Sequence, residues 1–324
     1  MRAVVFSGAG GNEVVSVEDR PDPAPGSNEV LVAVGFAGIN PADLAQREGR
    51  YPAPPGAPAD VPGLEVSGRV VGRGAACRSF DEGDRVFGIV GGGGLANLVV
   101  VHERHVVRVP DALDDTAAAA VPEVFLTAHD ALFTQAQLGL GDRLLVTGAN
   151  GGVGTAAVQL ARAAGATVFA TARSDEARGR LEELGAVALA PEEAAERLLA
   201  EGGADVVLEL VGAPNLDSDL EALALRGRIV IVGTGGGARG ELDLGKLMAR
   251  RGRVFGTHLR ARPLEQKAAA VQAFAHDVVP LLADGRVAPI VGRLFAAETV
   301  ADAFDYMEQP GKFGKVLLEF GYSL

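Results

Sequence analysis

The densest concentration of residues suited to chemistry is the run Thr147-Gly148-Ala149-Asn150-Gly151-Gly152-Val153-Gly154. It follows the apolar Leu144-Leu145-Val146 and opens a helix-patterned stretch, Thr155 to Ala164. Glycine lets a backbone turn sharply and approach a ligand, and a helix N-terminus offers unpaired N–H groups and a positive dipole end. Gly148, Ala149, Gly151, Gly152, Val153 and Gly154 are therefore candidates to hold a dinucleotide pyrophosphate. About 20 residues on, where a carboxylate would bind the 2′-hydroxyl of an adenosine ribose, the chain reads Ala170-Thr171-Ala172-Arg173-Ser174. A guanidinium there suits a 2′-phosphate through charge-assisted hydrogen bonds. Ser174 can donate a further bond, and Arg178 lies one helical turn farther on. The pattern predicts NADPH in preference to NADH, with Gly233, at the end of a later apolar run, as another cofactor contact.

These residues need a frame. From about Thr116, Ala-rich helical stretches alternate with short apolar runs: Arg143–Thr147, Thr167–Thr171, Val187–Leu189, Val206–Leu210, Ile229–Gly233 and Val254–Thr257. Six such strands separated by helices predict an α/β fold with a doubly wound parallel (Rossmann) sheet. The first third differs, with nine of the 17 prolines before residue 63. Its segments Val30–Val34, Gly68–Val71, Arg85–Gly88 and Leu98–Val101 read as strands of a second, irregular β-rich domain. After Arg260 the pattern predicts a helix over Leu264–Leu282, a strand over Val287–Leu294, a helix near Val300–Met307 and a last strand over Lys315–Phe320. This tail is expected to rejoin the first domain, giving residues 1–119 plus 261–324 around a nucleotide domain of 120–260.

Composition narrows the function classes. Lys and Arg total 30 against 42 Asp and Glu, a net charge of −12 that repels phosphate backbones and anionic lipid, so neither nucleic acid nor membrane is an expected partner. Met1–Gly8 carries too short an apolar run for a signal peptide, and no stretch has the length of a membrane span. The single cysteine, Cys77, can form neither an internal disulfide nor a thiolate zinc site, which fits a cytoplasmic protein.

Five segments taken in order carry a resemblance: Gly38-Ile39-Asn40-Pro41-Ala42-Asp43, Pro62–Gly68, Gly83-Asp84-Arg85-Val86, Pro122–Ala128 and Gly148–Gly154. Together they resemble the medium-chain dehydrogenase/reductase superfamily over essentially the whole chain, and within it the zinc-independent NADPH:quinone oxidoreductases. Pro122–Ala128, Leu259–Leu264 and Gly311–Val316 are most similar to the branch containing the p53-inducible quinone oxidoreductase. The resemblance implies that the β-rich domain is GroES-like. It also implies that Asn40, Asp43 and Tyr51 surround the nicotinamide and substrate mouth in the cleft between domains. Thr127, on the segment leading toward the nucleotide domain, is placed with them.

In zinc-dependent relatives the motif resembling Asn40–Asp43 begins with a Cys ligand, and the one resembling Gly63–Gly68 supplies His or Glu. Asn40 and Leu64 stand there here, and neither suits Zn²⁺, so no metal is expected. Without a Lewis acid, hydride transfer needs an acceptor that already takes electrons readily, so a quinone or enone is the expected substrate. Two other readings stay open: a double-bond reductase of 2-enones or enoyl thioesters, and a weakly catalytic NADPH-binding redox sensor. The resemblance further implies a homodimer, paired through the sheet edge near Val254–Thr257.

Overall fold

The computed structural model describes residues 1–321. Contacts divide the chain into two compact units: Met1–Leu126 with Leu259–Gly285 and Pro289 onward, and Thr127–His258 with Arg286–Ala288. The helix Pro122–His129 carries the chain from one to the other.

The first unit begins with β1 (Arg2–Phe6) and β2 (Val15–Asp19), an antiparallel pair. It continues through β3 (Glu29–Ile39), β4 (Glu65–Arg73), β5 (Arg85–Ile89), β6 (Leu98–His102) and β7 (Val106–Arg108). Strand β3 is the spine. It runs five residues past the expected Val34, pairs with β4 and β6, and ends at Ile39, beside the helix Pro41–Arg47.

The second unit holds β8 (Arg143–Val146), β9 (Thr167–Thr171), β10 (Val187–Leu189), β11 (Ala204–Glu209), β12 (Leu223–Ile231) and β13 (Arg253–Gly256). All pair in parallel in the order β10-β9-β8-β11-β12-β13, the doubly wound arrangement expected from the alternation. Leu145, Phe169, Val207 and Ile229 point into its core with Leu198 and Leu220 from the flanking helices.

The chain then returns to the first unit. β14 (Val291–Ala296) lies parallel to β15 (Lys315–Glu319), which pairs antiparallel with β3 through Val316 opposite Ile39. The first unit's core joins Val30, Val32, Val66 and Val86 to Phe6 and to Phe304 of the helix Val300–Glu308. Two expectations for this tail need correction. The strand starts at Val291 rather than Val287, because Pro289 has no N–H for a ladder. The single helix to Leu282 is two, Leu264–Asp277 and Val279–Ala283, with Pro280 in the first turn of the second.

Candidate active site

In the second unit the glycine run joins β8 to the helix Gly152–Ala163, with Gly151 as its N-cap. Gly154 lets this helix lie against the turn: a Cβ there would come 2.4 Å from the Ala149 carbonyl oxygen. The N–H groups of Gly148 and Ala149 are spent on Thr171, at 3.1 Å to Oγ1 and 2.8 Å to its carbonyl. The helix's own hydrogen bonding starts at Thr155, which donates to Gly151, so the N–H groups of Gly152, Val153 and Gly154 have no partner within the helix. The N–H groups of Gly152 to Gly154 are therefore the ones left open at this helix start, while Gly148 and Ala149 shape the turn.

Arg173 and Ser174 follow β9 directly. Arg173 is exposed; Ser174 caps the helix Asp175–Glu183, accepting the Ala177 N–H at 3.3 Å. Arg178 is tied back to the backbone, donating to Ala172 at 2.9 Å and Arg173 at 3.1 Å, and pairs with Asp175. Gly233 lies just past β12 and donates to Glu209 at the end of β11. These residues all stand at the carboxyl ends of parallel strands, where open α/β sheets take their ligands. The same unit buries Asp219 against Glu209, whose oxygens also accept the N–H groups of Val211 and Gly212. Burial pushes the Asp219 carboxyl up to about 9, helped by the Glu209 charge.

In the first unit, Asn40 and Asp43 flank the start of the helix Pro41–Arg47. Asp43 is fully buried; its oxygens accept the Asn40 N–H at 2.8 Å and the Gly63 N–H at 3.0 Å, fastening the helix start to the Pro62–Gly63 turn. Burial raises its carboxyl to about 6 against the opposing pull of those donors and of Lys315. The Asn40 amide, 6% exposed, does not cap its helix. Its Oδ1 accepts from Lys315 at 2.5 Å and its Nδ2 donates to Glu65 at 2.9 Å. Lys315 also donates to the Ile39 carbonyl at 2.9 Å and pairs with Glu65, so three oxygens hold its three hydrogens. Gly38 makes the room, since a Cβ there would fall 2.2 Å from Glu65 Oε1. The second Glu65 oxygen accepts the Glu123 N–H at 2.8 Å. Desolvation, then the neighbouring Glu65 charge, push the Glu123 carboxyl up to about 8.

Tyr51 borders this cluster. Arg260 lies over its ring at 5.0 Å, donates to its carbonyl at 3.2 Å and to Gly91 at 2.8 Å, and bonds Gln46. Lys267 in turn donates to the Arg260 carbonyl at 3.0 Å. Burial raises the Tyr51 phenol above its usual range. Asn40, Asp43 and Tyr51 thus belong to one unit, while Thr127 opens the second, partly buried on the helix Pro122–His129.

The donor set at Asn40 does not suit a zinc ion. Leu64 is apolar and buried, the Asn40 oxygen is occupied, and the Lys315 ammonium repels a cation there. Among the described residues, no group of three or more His, Cys, Asp or Glu is placed to hold a metal.

Comparison with known proteins decides the family. Models for an alcohol dehydrogenase GroES-like domain and a zinc-binding dehydrogenase match residues 26–111 and 152–276. The quinone oxidoreductase of Rattus norvegicus is 33% identical, with 98% of this chain and 97% of that one aligned. The chain belongs to the quinone oxidoreductase family of the medium-chain dehydrogenases/reductases. Among solved structures, an NAD-dependent alcohol dehydrogenase is 31% identical with a TM-score of 0.87, over 99% of this chain and 100% of that one. A mycobacterial protein solved with NADPH is 26% identical with a TM-score of 0.88, over 98% and 100%. Solved structures of this fold thus include one described as NAD-dependent and one holding NADPH. The zinc-binding name likewise brings no zinc donors to Asn40 and Leu64.

The sequence assigned no site role to Lys315, Arg260, Glu65 or Glu123. For two of them a signal was present, a charged residue at the head of a strand: Glu65 opens β4 and Lys315 opens β15.

Proposed function

We propose that this chain is an NADPH-dependent reductase that delivers hydride to a quinone or similarly conjugated carbonyl acceptor without a metal. The observation that carries the reading is the Lys315 ammonium, bonded to Asn40 and Glu65 where zinc-dependent relatives place ligands. A site with a fixed organic cation there polarises nothing by coordination, so its acceptor must be electrophilic on its own account. NADPH is supported by the exposed Arg173 at the end of β9, by the free first-turn N–H groups of Gly152 to Gly154, and by the relative solved with that coenzyme. When bound, it supplies the hydride. Gly151 to Gly154 hold the pyrophosphate, Arg173 and Ser174 meet the 2′-phosphate, and Gly233 borders the nucleotide at the strand ends. Asn40 and Asp43 act as positioning residues, because their polar atoms are spent on the protein itself, and Tyr51 presents its ring and hydroxyl to the acceptor.

The test is steady-state NADPH oxidation across quinones, 2-enones, enoyl thioesters and simple aldehydes. Turnover on quinones or enones with none on aldehydes supports the reading; preference for enoyl thioesters favours the double-bond reductase, and tight coenzyme binding without turnover the redox sensor.

The lone cysteine fits a cytoplasmic setting, and no described helix is long and apolar enough to cross a membrane. We also propose a homodimer through β13, whose outer edge leaves backbone groups for a two-fold partner. Light scattering at micromolar concentration should return twice 33.2 kDa; a mass near 33.2 kDa contradicts it.

A further inference from the structure

Hydride addition to a quinone or enone leaves an oxyanion or enolate, and the reaction is complete only when a proton arrives. We propose that the carboxyl group of Glu123 is the general acid that supplies it. The proposal rests on the preceding reading of the chain as a reductase of conjugated carbonyls.

The geometry makes Glu123 the member of the cluster able to act. Its backbone N–H donates to the Glu65 carboxylate at 2.8 Å, which holds the two residues side by side, and the Glu65 charge acts on the Glu123 carboxyl. Glu65, fully buried, takes the Lys315 ammonium and the Asn40 amide. All three Lys315 hydrogens are then committed to Ile39, Asn40 and Glu65. None of the hydrogen bonds described for this cluster ends on the Glu123 carboxyl. Two adjacent carboxyl groups sharing one directly bonded cation favour one ionised and one neutral form, and Glu123 is the one left to keep its proton.

The charges around it agree. Glu65 on β4 and Asp43 on the helix Pro41–Arg47 favour the neutral acid, while Lys315 on β15 and Lys267 on the helix Leu264–Asp277 oppose them. Its charge is also felt by Arg260 and Tyr51. The balance, dominated by desolvation, leaves the carboxyl protonated up to about pH 8.

Other members of the cluster are closed to this role. Asp43 is 0% exposed with both oxygens accepting backbone N–H groups, and Lys315 is 3% exposed and fully bonded. Lys267 is 6% exposed and bonded to Arg260. Tyr51 holds its proton more firmly than a free phenol, so it is the weaker acid at neutral pH. Glu123 is only partly buried, which leaves a route for water to reprotonate it.

In the step, the acceptor gains two electrons with the hydride from the reduced nicotinamide. The Glu123 O–H bond breaks as the new O–H or C–H bond of the product forms, and the electron pair stays on the carboxylate. Water then returns the proton.

The experiment compares wild type with Glu123→Gln on acceptors of graded product basicity, after subtracting the uncatalysed rate. On an alkyl-substituted 1,4-benzoquinone, whose hydroquinone is a weak acid, the variant should lose about 100-fold in kcat. On tetrachloro-1,4-benzoquinone, whose reduced form can leave as an anion, the loss should be within about threefold, since no proton is needed in the step. The wild-type rate should fall as pH rises through about 8, and the variant should lack that limb. Independently of coenzyme, the infrared difference between free wild type and free variant, in which the Asp43 and Asp219 bands cancel, should show a carboxylic-acid band that titrates near pH 8. An equal loss on every acceptor, an unchanged pH limb, or no such band overturns the assignment. Absence of wild-type turnover on any conjugated acceptor defeats the underlying reading and the proposal with it.

Discussion

Replacing Lys315 by methionine keeps the aliphatic stem and removes an ammonium that three oxygens hold: Ile39 O, Asn40 Oδ1 and a Glu65 carboxylate oxygen. Glu65, 0% exposed, then keeps the Asn40 amide and the Glu123 N–H but no cation. Breaking a buried pair from one side costs about 3–5 kcal/mol, most of it the uncompensated charge left behind. Glu65→Gln breaks the same pair from the other side and should cost a similar amount. The double variant Lys315→Met/Glu65→Gln leaves no unpaired charge, so the two losses should not add; the cycle should return about 2 kcal/mol or more of coupling. Urea unfolding followed by far-ultraviolet circular dichroism measures all four proteins, with stability read from the midpoint at unchanged slope. Single variants within about 0.5 kcal/mol of wild type, or strictly additive losses, would refute the reasoning that this pair is buried, mutual and structurally committed.

Two further outcomes follow from the second unit. Arg173→Ala should weaken NADPH binding about tenfold or more and leave NADH nearly unchanged by fluorescence titration, whereas Arg178→Ala should do less, because its guanidinium is held by Ala172 and Arg173 carbonyls. Asp219 binds its proton more tightly folded than unfolded, so the stability it contributes is full below 3.8 and is lost as pH rises toward about 9, at up to about 1.4 kcal/mol per pH unit. Asp219→Asn, which can still donate to Glu209, should flatten the decline in urea midpoint between pH 6 and 9, and an unchanged slope would remove Asp219 as its source.

Local patterns carried much of this molecule. The apolar runs located all six parallel strands, four of them to within a residue at each end, whereas β11 starts two residues and β12 six residues before the expected run; the glycine run marked its own turn because close approach and backbone freedom are properties of single positions. The polar cluster of the first unit was not legible in that way. Lys315 meets Asn40 across 275 residues of sequence, and Arg260 meets Gln46 across 214, through sheet register and helix placement that no local spacing encodes. Asn40 was therefore placed at the nicotinamide and substrate mouth with no sign of the ammonium that β15, beside β3, brings to its amide oxygen. Arg178 entered as a second candidate beside Arg173 because helical spacing shows that a side chain is near, but not that its hydrogens are already used.

The most direct test of metal-free, NADPH-dependent reduction is one rate, measured with the quinone that the panel shows to be best. NADPH oxidation is followed with protein whose metal content has been determined, before and after dialysis against a strong chelator. The account predicts substoichiometric zinc and an unchanged kcat, with NADH a poorer donor. One tightly held zinc per chain whose removal abolishes turnover would contradict it.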